Sequence, residues 1–288
     1  MNQQASVLFD APGPRAQKVH LIITIIGWVL LIAAVAGVLW GLRDELTPAK
    51  LLPFADPMAW TGYLLPGLGA TLAAAATSVV TAIILGVLLG CGRLSGIKII
   101  RIVCGLFVEF FRAVPVLLMM VFSWYFFIFV LRVPSAWQSF AGVVVGLTFY
   151  NGSVIAELIR SGVHSLPKGQ SEAGLAVGLT PSQVLTSIQL PQAITAMLPS
   201  LVSQLVVILK DTALGSLIVY SDVLKQATEL STWKGNLIAT FIVVALIFIV
   251  VNYALTSFAQ WLERRLRARG ARPRPATAPP TAPGLPTV

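Results

Sequence analysis

Long apolar runs with almost no charge alternate with short polar segments along most of the chain. The runs are continuous and do not alternate at period two, so each predicts a helix rather than a strand. A helix of about 20 apolar residues is long enough to cross a bilayer core of about 30 Å. Six runs meet this requirement, at 19–42, 63–92, 108–131, 139–160, 193–220 and 236–261. The pattern predicts an all-α fold, a polytopic transmembrane bundle of about six spans.

The same pattern divides the chain into four parts. Residues 1–18 form a polar segment expected in the cytoplasm, and 19–65 form an extra span followed by a periplasmic loop. Residues 66–262 form the membrane core, and 263–288 form a basic, proline-rich tail that is expected to be disordered. Ala34-Val35-Ala36 has the small residues of a signal-peptide cleavage site, so a cleaved signal peptide is an alternative for the first run. The length of the apolar run favours an uncleaved span.

The segment 99–112 is amphipathic, unlike the runs around it. We expect it to lie along the cytoplasmic interface before Pro115 redirects the chain into the third span, because proline cannot continue a helix from the preceding residues.

Composition and charge exclude a soluble domain. The chain is 57% hydrophobic and only 11% charged, whereas soluble domains carry about 25% charged residues. Of the 20 lysine and arginine residues, thirteen fall in segments on one side of the predicted spans and five on the other, with Arg112 and Lys210 inside spans. The positive-inside rule then places both termini in the cytoplasm, and it explains the net charge of +9 without nucleic acid.

Catalytic and metal chemistry have no candidate residues in the sequence. Cys91 and Cys104 flank a short basic loop and are interpreted as small apolar residues, and no cluster of His and Cys offers a metal site. We therefore predict a protein that is not an enzyme and binds no metal or cofactor. A stand-alone ion-coupled transporter or channel remains the alternative to the function inferred below, and a membrane-embedded enzyme is a third possibility.

Ionisable residues inside or beside the spans are the candidate substrate pathway, since charges within a membrane usually face protein or water. The candidates are Glu109, Arg112, Glu157, Lys210 and Asp211, with Arg160 expected to reach the lipid headgroups. Glu109 and Arg112 are three residues apart and can pair on one helix face. Lys210 and Asp211 point about 100° apart, so each needs a substrate group or a partner on another helix, such as Glu157 or Glu109 for Lys210.

The loop from 161 to 192 carries signals for two short helices. Pro167 suits a first helical turn, and Gly178 suits the left-handed residue after a helix end. Thr180-Pro181-Ser182-Gln183 has the composition of a capping box with proline at the first helical position. Pro191 is expected to mark the return of the chain into the membrane.

This loop resembles the EAA motif of ABC importer permeases, in which E-A-A is followed at fixed spacing by G and then I-x-L-P. One position departs, because Gly174 stands where the pattern has alanine, at an expected cost to the helix of about 1 kcal/mol. The strings FVEFFRAVPVLL and LKDTALGSLI are similar to the polar amino-acid branch of that family, closest to glutamate/aspartate permeases of actinobacteria. The residues that carry the motif are Glu172, Ala173, Gly178, Ile188, Leu190 and Pro191, and the resemblance implies that they couple to the ATPase together with Gln170.

The resemblance covers residues 66–262 and implies a fold, a function and partners. The fold is the transmembrane domain of a type I ABC importer, and 166–190 are its coupling helices, which dock on a cytoplasmic ATPase. No G-x-x-x-x-G-K-[ST] loop occurs in the chain, so ATP and Mg²⁺ belong to two separate ATP-binding subunits. A second permease chain, identical or different, and an extracytoplasmic solute-binding protein complete the expected complex in the plasma membrane. The implied substrates are polar amino acids, with glutamate and aspartate favoured.

Overall fold

A computed structural model describes residues 13–270, and all the regular structure in that range is helical. The long helices are α1 (Pro14–Gly41), α2 (Pro57–Arg93), α5 (Ser135–His164), α7 (Pro181–Ile218) and α9 (Leu237–Gly270). The shorter ones are α3 (Lys98–Ala113), α4 (Val116–Val130), α6 (Lys168–Ala176) and α8 (Val223–Lys234), with single turns at Pro48–Leu51 and Leu52–Ala55. Residues 1–12 and 271–288, which hold most of the predicted N-terminal segment and tail, lie outside the described residues.

Five of these helices, α1, α2, α5, α7 and α9, are long and apolar enough to cross a membrane. The pair α3 and α4 passes the same test only when the two helices are taken together, and they bend by 102° at the break between them. The predicted all-α bundle of about six spans is confirmed.

Helix α5 lies at the centre of the bundle, and glycines allow its neighbours to approach closely. A Cβ atom at Gly86 of α2 would lie 2.5 Å from Ile155 Cγ2, and one at Gly146 of α5 would lie 2.7 Å from Met120 Cγ of α4. Membrane helices lack a hydrophobic drive to associate, so close backbone packing at small residues takes its place. By contrast, α1 is apolar on all sides, and none of its most apolar stretch is buried in the chain.

The predicted third span, 108–131, is wrong at its start. Helix α3 ends at Ala113 and α4 begins at Val116, because Val114 is extended (φ −81°, ψ 130°) in front of Pro115. A residue before proline is pushed out of the helical region by the proline ring. The expected amphipathic segment with a redirection at Pro115 is therefore present as α3.

Two other boundaries differ from expectation. No helix boundary marks Pro191, since α7 runs through that residue after a widened π-helical turn at Val184–Gln189, and the re-entry of the chain into the membrane at Pro191 stays a prediction. Helix α9 continues to Gly270, so the predicted tail is still helical where it was expected to be disordered, from 263 to 270.

Helix α8 was not predicted, although its start carries a readable signal. The Asp222 carboxylate accepts a hydrogen bond from the Lys225 N–H at 2.8 Å and caps the helix, which ends at Gly235 in the left-handed region.

Candidate functional site

The turn between α6 and α7 is held by backbone hydrogen bonds at the end of α6. Gly178 has a φ of +88°, a conformation that favours glycine. The Gly178 N–H donates to the Leu175 carbonyl at 3.0 Å, and the Leu179 N–H donates to the Gly174 carbonyl at 3.2 Å. These two bonds form a Schellman motif. The predicted role of Gly178 as the residue after the helix end is confirmed.

The start of α7 is fixed by the predicted capping box. The Gln183 N–H donates to Thr180 Oγ1 at 3.4 Å, and the Thr180 N–H donates to Gln183 Oε1 at 2.8 Å. Pro181 occupies the first turn, where its missing N–H costs no hydrogen bond. The turn is therefore closed on both sides, and α6 has a defined direction relative to α7.

Gly174, the one departure from the EAA pattern, lies where α6 touches α7. It is buried, and a Cβ atom there would lie 2.8 Å from Val184 Cγ2 and 2.9 Å from Ile188 Cδ1. Gln192 Nε2 of α7 also donates to Gln170 Oε1 of α6 at 3.2 Å. The glycine therefore allows the two helices to pack more closely than alanine would permit.

The opposite side of α6 is exposed and small. Gly169, Ala173 and Ala176 follow one another at spacings of four and three residues, so they share one helix face, turned away from Gly174. Val177 extends this face and is 78% exposed. Small side chains leave room for another surface to approach the α6 backbone.

The remaining motif residues divide by position. Glu172 is exposed and lines a cleft of about 1100 Å³ between α6 and the α2–α3 loop. Ile188 and Leu190 are half-buried and hold α7 against its neighbours, while Pro191 is exposed. Glu172 and Ala173 on α6 are thus exposed, whereas Ile188 and Leu190 on α7 belong to the packing beneath it.

A cluster of five charged side chains joins α2, α3 and α5. Glu157 accepts hydrogen bonds from Arg160 Nε at 3.1 Å and Arg160 Nη2 at 2.6 Å. Its Oε2 also lies 2.7 Å from Arg93 Nη1 and 3.7 Å from Arg112 Nη1. Glu109 Oε1 accepts a hydrogen bond from Arg93 Nη2 at 3.0 Å and lies 3.9 Å from Arg112 Nη1.

This charge cluster confirms the predicted Glu109–Arg112 pair and brings Glu157 to it. Arg160 is expected to reach the lipid headgroups, and within the described chain it bonds to Glu157. Sequence reasoning missed Arg93, whose side chain is only 11% exposed, because nothing near it in the sequence indicates its partners. Burying such ions is unfavourable unless each is paired, so the cluster fixes the three helices against one another.

Lys210 and Asp211 lie apart from this cluster, at the other end of α7. Neither forms an ion pair with any residue between 13 and 270, so the suggested pairing of Lys210 with Glu157 or Glu109 is wrong. Lys210 borders a shallow pocket between α7 and α9, and Asn252 on the same pocket has a buried Oδ1 with no hydrogen-bond donor within the described chain.

Uncharged polar residues within the bundle were also missed. Gln204 Nε2 of α7 donates to Asn151 Oδ1 of α5, and Asn151 is fully buried. The hydroxyls of Thr81 on α2 and Thr148 on α5 lie 2.6 Å apart. Polar residues inside apolar spans are the available signal, since they commonly bond across membrane helices.

Known proteins resemble the chain in sequence and in fold. A family model described as the binding-protein-dependent transport system inner membrane component matches residues 82–268. The glutamate transport system permease protein GluD of Corynebacterium glutamicum is 49% identical over 80% of this chain and 84% of its own length. The glutamate/aspartate import permease protein GltK of Escherichia coli O6:H1 is 30% identical over 70% of this chain and 93% of its own. A solved amino acid ABC transporter with histidines superposes with a TM-score of 0.67 at 26% identity, over 75% of this chain and 98% of that one.

Proposed function

Because the chain belongs to the binding-protein-dependent transport system inner membrane component family, we propose that it is the permease of an ATP-driven importer whose substrates are glutamate and aspartate. It forms the translocation pathway and performs no chemistry itself. The complex contains two ATP-binding subunits, which hold ATP and Mg²⁺, a second permease chain, and an extracytoplasmic solute-binding protein. The chain is a multi-pass inner membrane protein with both termini in the cytoplasm.

Coupling to the ATPase rests on the unit formed by α6 and the start of α7. The Schellman motif at Gly178 and the capping box at Thr180 fix the turn, and the contact at Gly174 fixes α6 against Val184 and Ile188. A force applied to the exposed face of α6 therefore reaches α7 without being lost in a flexible loop. Because α7 also carries Lys210 near its other end, it is the element through which a movement of α6 would reach that residue.

The proposed substrate class draws on the names of the relatives and on one unpaired cation. Two of the relatives are named for glutamate or for glutamate and aspartate. Lys210 has no carboxylate partner in residues 13–270, so its ammonium group is available for an anionic group of the substrate. At the other end of the bundle, the arginines of the charge cluster are already paired with carboxylates of this chain. They are therefore less available to an anionic substrate than Lys210 is.

Replacing Gly178 with valine tests the coupling role. A β-branched side chain at positive φ is strained, so the turn must change and α6 must be re-aimed. We expect Gly178→Val to insert and assemble but to lose most binding-protein-stimulated ATP hydrolysis and most glutamate uptake in proteoliposomes.

Gly235→Val is the matched control. Gly235 also has a positive φ, +62°, and open space around its Cα, but it ends α8 rather than α6. It carries a similar backbone strain at a site remote from the ATPase, so stimulated ATP hydrolysis should persist. Wild-type uptake by fully expressed Gly178→Val, or equal loss of stimulation in both variants, would contradict the proposal.

A further inference from the structure

Helix α3 presents three faces, and the first packs against the bundle. Val108 is fully buried, and Phe107 and Phe111 contact Phe149 of α5, with ring centroids 5.9 Å and 4.8 Å away. Cys104 continues this face towards Gly92 of α2. These contacts hold α3 on the bundle along one side of the helix.

The second face is apolar and has no contact within the described chain that covers it. Ile99, Val103, Leu106 and Phe110 are 74%, 59%, 68% and 61% exposed. Their spacings of four, three and four residues place them in one row along the helix. In water such a row would be unfavourable, so it requires an apolar surrounding.

The third face is charged, and its two halves differ. Glu109 and Arg112, near the C-terminal end of α3, belong to the charge cluster described above. Lys98 and Arg101, near the N-terminal end, are exposed and form no ion pair among residues 13–270. Arg101 donates one hydrogen bond, from Nη1 to the Ser95 carbonyl at 3.2 Å, and this leaves most of its guanidinium group available.

The bend between α3 and α4 fixes the orientation of these faces. The two helices meet at 102°, so if α4 crosses the bilayer, α3 lies close to the membrane plane. The charge cluster at the end of α2 places α3 at the level where the spans leave the membrane. A helix in that position with one apolar face and a basic edge matches the geometry of interfacial helices.

We propose that α3 lies in the cytoplasmic leaflet, with the row Ile99–Phe110 among the acyl chains and with Lys98 and Arg101 binding anionic lipid headgroups. The acyl chains remove the exposed apolar row from water, and the headgroup phosphates form ion pairs with the two unpaired cations. This proposal does not depend on the transported substrate, but it rests on the orientation given under the proposed function, in which the α2–α3 end of the bundle faces the cytoplasm. Each basic residue next to an anionic membrane surface strengthens the attraction to that surface by about fivefold.

Local lipid composition beside α3 can be read by fluorescence quenching. The full chain, in complex with its ATPase and with Cys91 and Cys104 replaced by alanine, would carry Leu106→Cys labelled with bimane. It would be reconstituted into phosphatidylcholine vesicles containing either brominated phosphatidylcholine or the same amount of brominated phosphatidylglycerol. The same label at Leu31→Cys on α1, which is 52% exposed and distant from α3 in sequence, gives the reference for lipid contact without these cations.

We expect brominated phosphatidylglycerol to quench the label at position 106 severalfold more than brominated phosphatidylcholine, and the two to quench equally at position 31. Lys98→Gln/Arg101→Gln should abolish the excess, Lys98→Gln alone should reduce it, and Arg264→Gln/Arg265→Gln on α9 should leave it unchanged. Equal quenching by both lipids at position 106 would overturn the headgroup site. Quenching by neither would show that protein, such as a second permease chain, covers this face, and would overturn the proposal altogether.

Discussion

The two ends of the helix bundle treat their ionisable side chains in opposite ways. At the end near α6, Glu157 and Glu109 are shared among three arginines, and three helices are tied together by these contacts. At the other end, Lys210 has no ion-pair partner in residues 13–270, and Asp222 is buried with one oxygen, Oδ2, that accepts no hydrogen bond in the described chain. Ion pairs therefore fix the helices to one another at the first end, whereas the second end has polar groups without partners in the described chain.

This difference assigns different roles to charges that look alike in the sequence. Glu157 and Lys210 both stand within predicted spans, but only Glu157 is neutralised by its own chain. Removing Glu157 should therefore damage the fold, whereas removing Lys210 should damage transport and spare the fold.

The largest expected effect is that of Glu157→Gln. The change leaves Arg93, which is 11% exposed, without its nearest carboxylate. Breaking a buried pair by removing one partner costs about 3–5 kcal/mol, so thermal unfolding of the purified chain in detergent should move to a clearly lower temperature. Glu109→Gln, at a carboxylate that is 62% exposed, should cost less than about 1 kcal/mol. Equal effects of the two changes would show that burial does not distinguish them.

Asp222→Asn should act in the opposite direction. Burial raises the pKa of the Asp222 carboxyl from 3.8 to about 6. Because the folded protein holds this proton more tightly than the unfolded chain, the contribution of Asp222 to stability is greatest below about pH 4, falls as the pH rises to about 6, and then stays low.

Asparagine keeps an oxygen that can cap α8 but cannot ionise, so Asp222→Asn should remove this fall and stabilise the protein at neutral pH by up to about 2–3 kcal/mol. Unfolding temperatures measured across this pH range, for the wild type and the variant, would check the prediction. An advantage of the variant over the wild type that does not grow as the pH rises over this range would mean that the carboxylate is stabilised in the folded state.

Gly174→Ala restores the residue of the EAA pattern and should nevertheless weaken this structure. The new Cβ would lie 2.8 Å from Val184 Cγ2, and Val184 is buried and stiff. Overpacking of this kind costs about 1–3 kcal/mol, and hydrogen exchange of the α6 amides should become faster. Gly169→Ala, at a helical glycine with open space around it, should slow the exchange or leave it unchanged. Slower exchange in Gly174→Ala would mean that α6 and α7 are less closely packed than described.

Lys210→Met should leave unfolding and basal ATP hydrolysis unchanged and reduce glutamate uptake by about tenfold, the loss expected for one charge-assisted contact. Lys210→Arg, which keeps the charge, should retain more uptake. If Asp211→Asn restores uptake in the Lys210→Met background, the two residues pair between permease chains and Lys210 is not a substrate ligand.

Local signals predicted the parts of this site that local interactions build. The positive φ of Gly178 and the capping box of Thr180 and Gln183 depend on neighbours within a few residues, so the sequence alone indicated them. The approach of Arg93 to Glu157 joins α2 to α5, and the contact of Gly174 with Val184 depends on how α6 folds back, so neither has a signature in its own segment. The third span was placed too early because apolar content alone set its start at 108, although the amphipathic segment 99–112 and Pro115 already indicated the break.

The most direct test of the account is a cross-link between the exposed face of α6 and the ATP-binding subunit. In the full complex lacking Cys91 and Cys104, Ala173→Cys should cross-link to a cysteine on the ATPase surface, and the yield should change when ATP is bound. Thr228→Cys, exposed on α8 at the other end of the bundle, should give no such product. Cross-linking at Ala173, and not at Thr228, is the result that the account predicts. A complex that hydrolyses ATP and transports glutamate while Ala173→Cys never reaches the ATPase would contradict it.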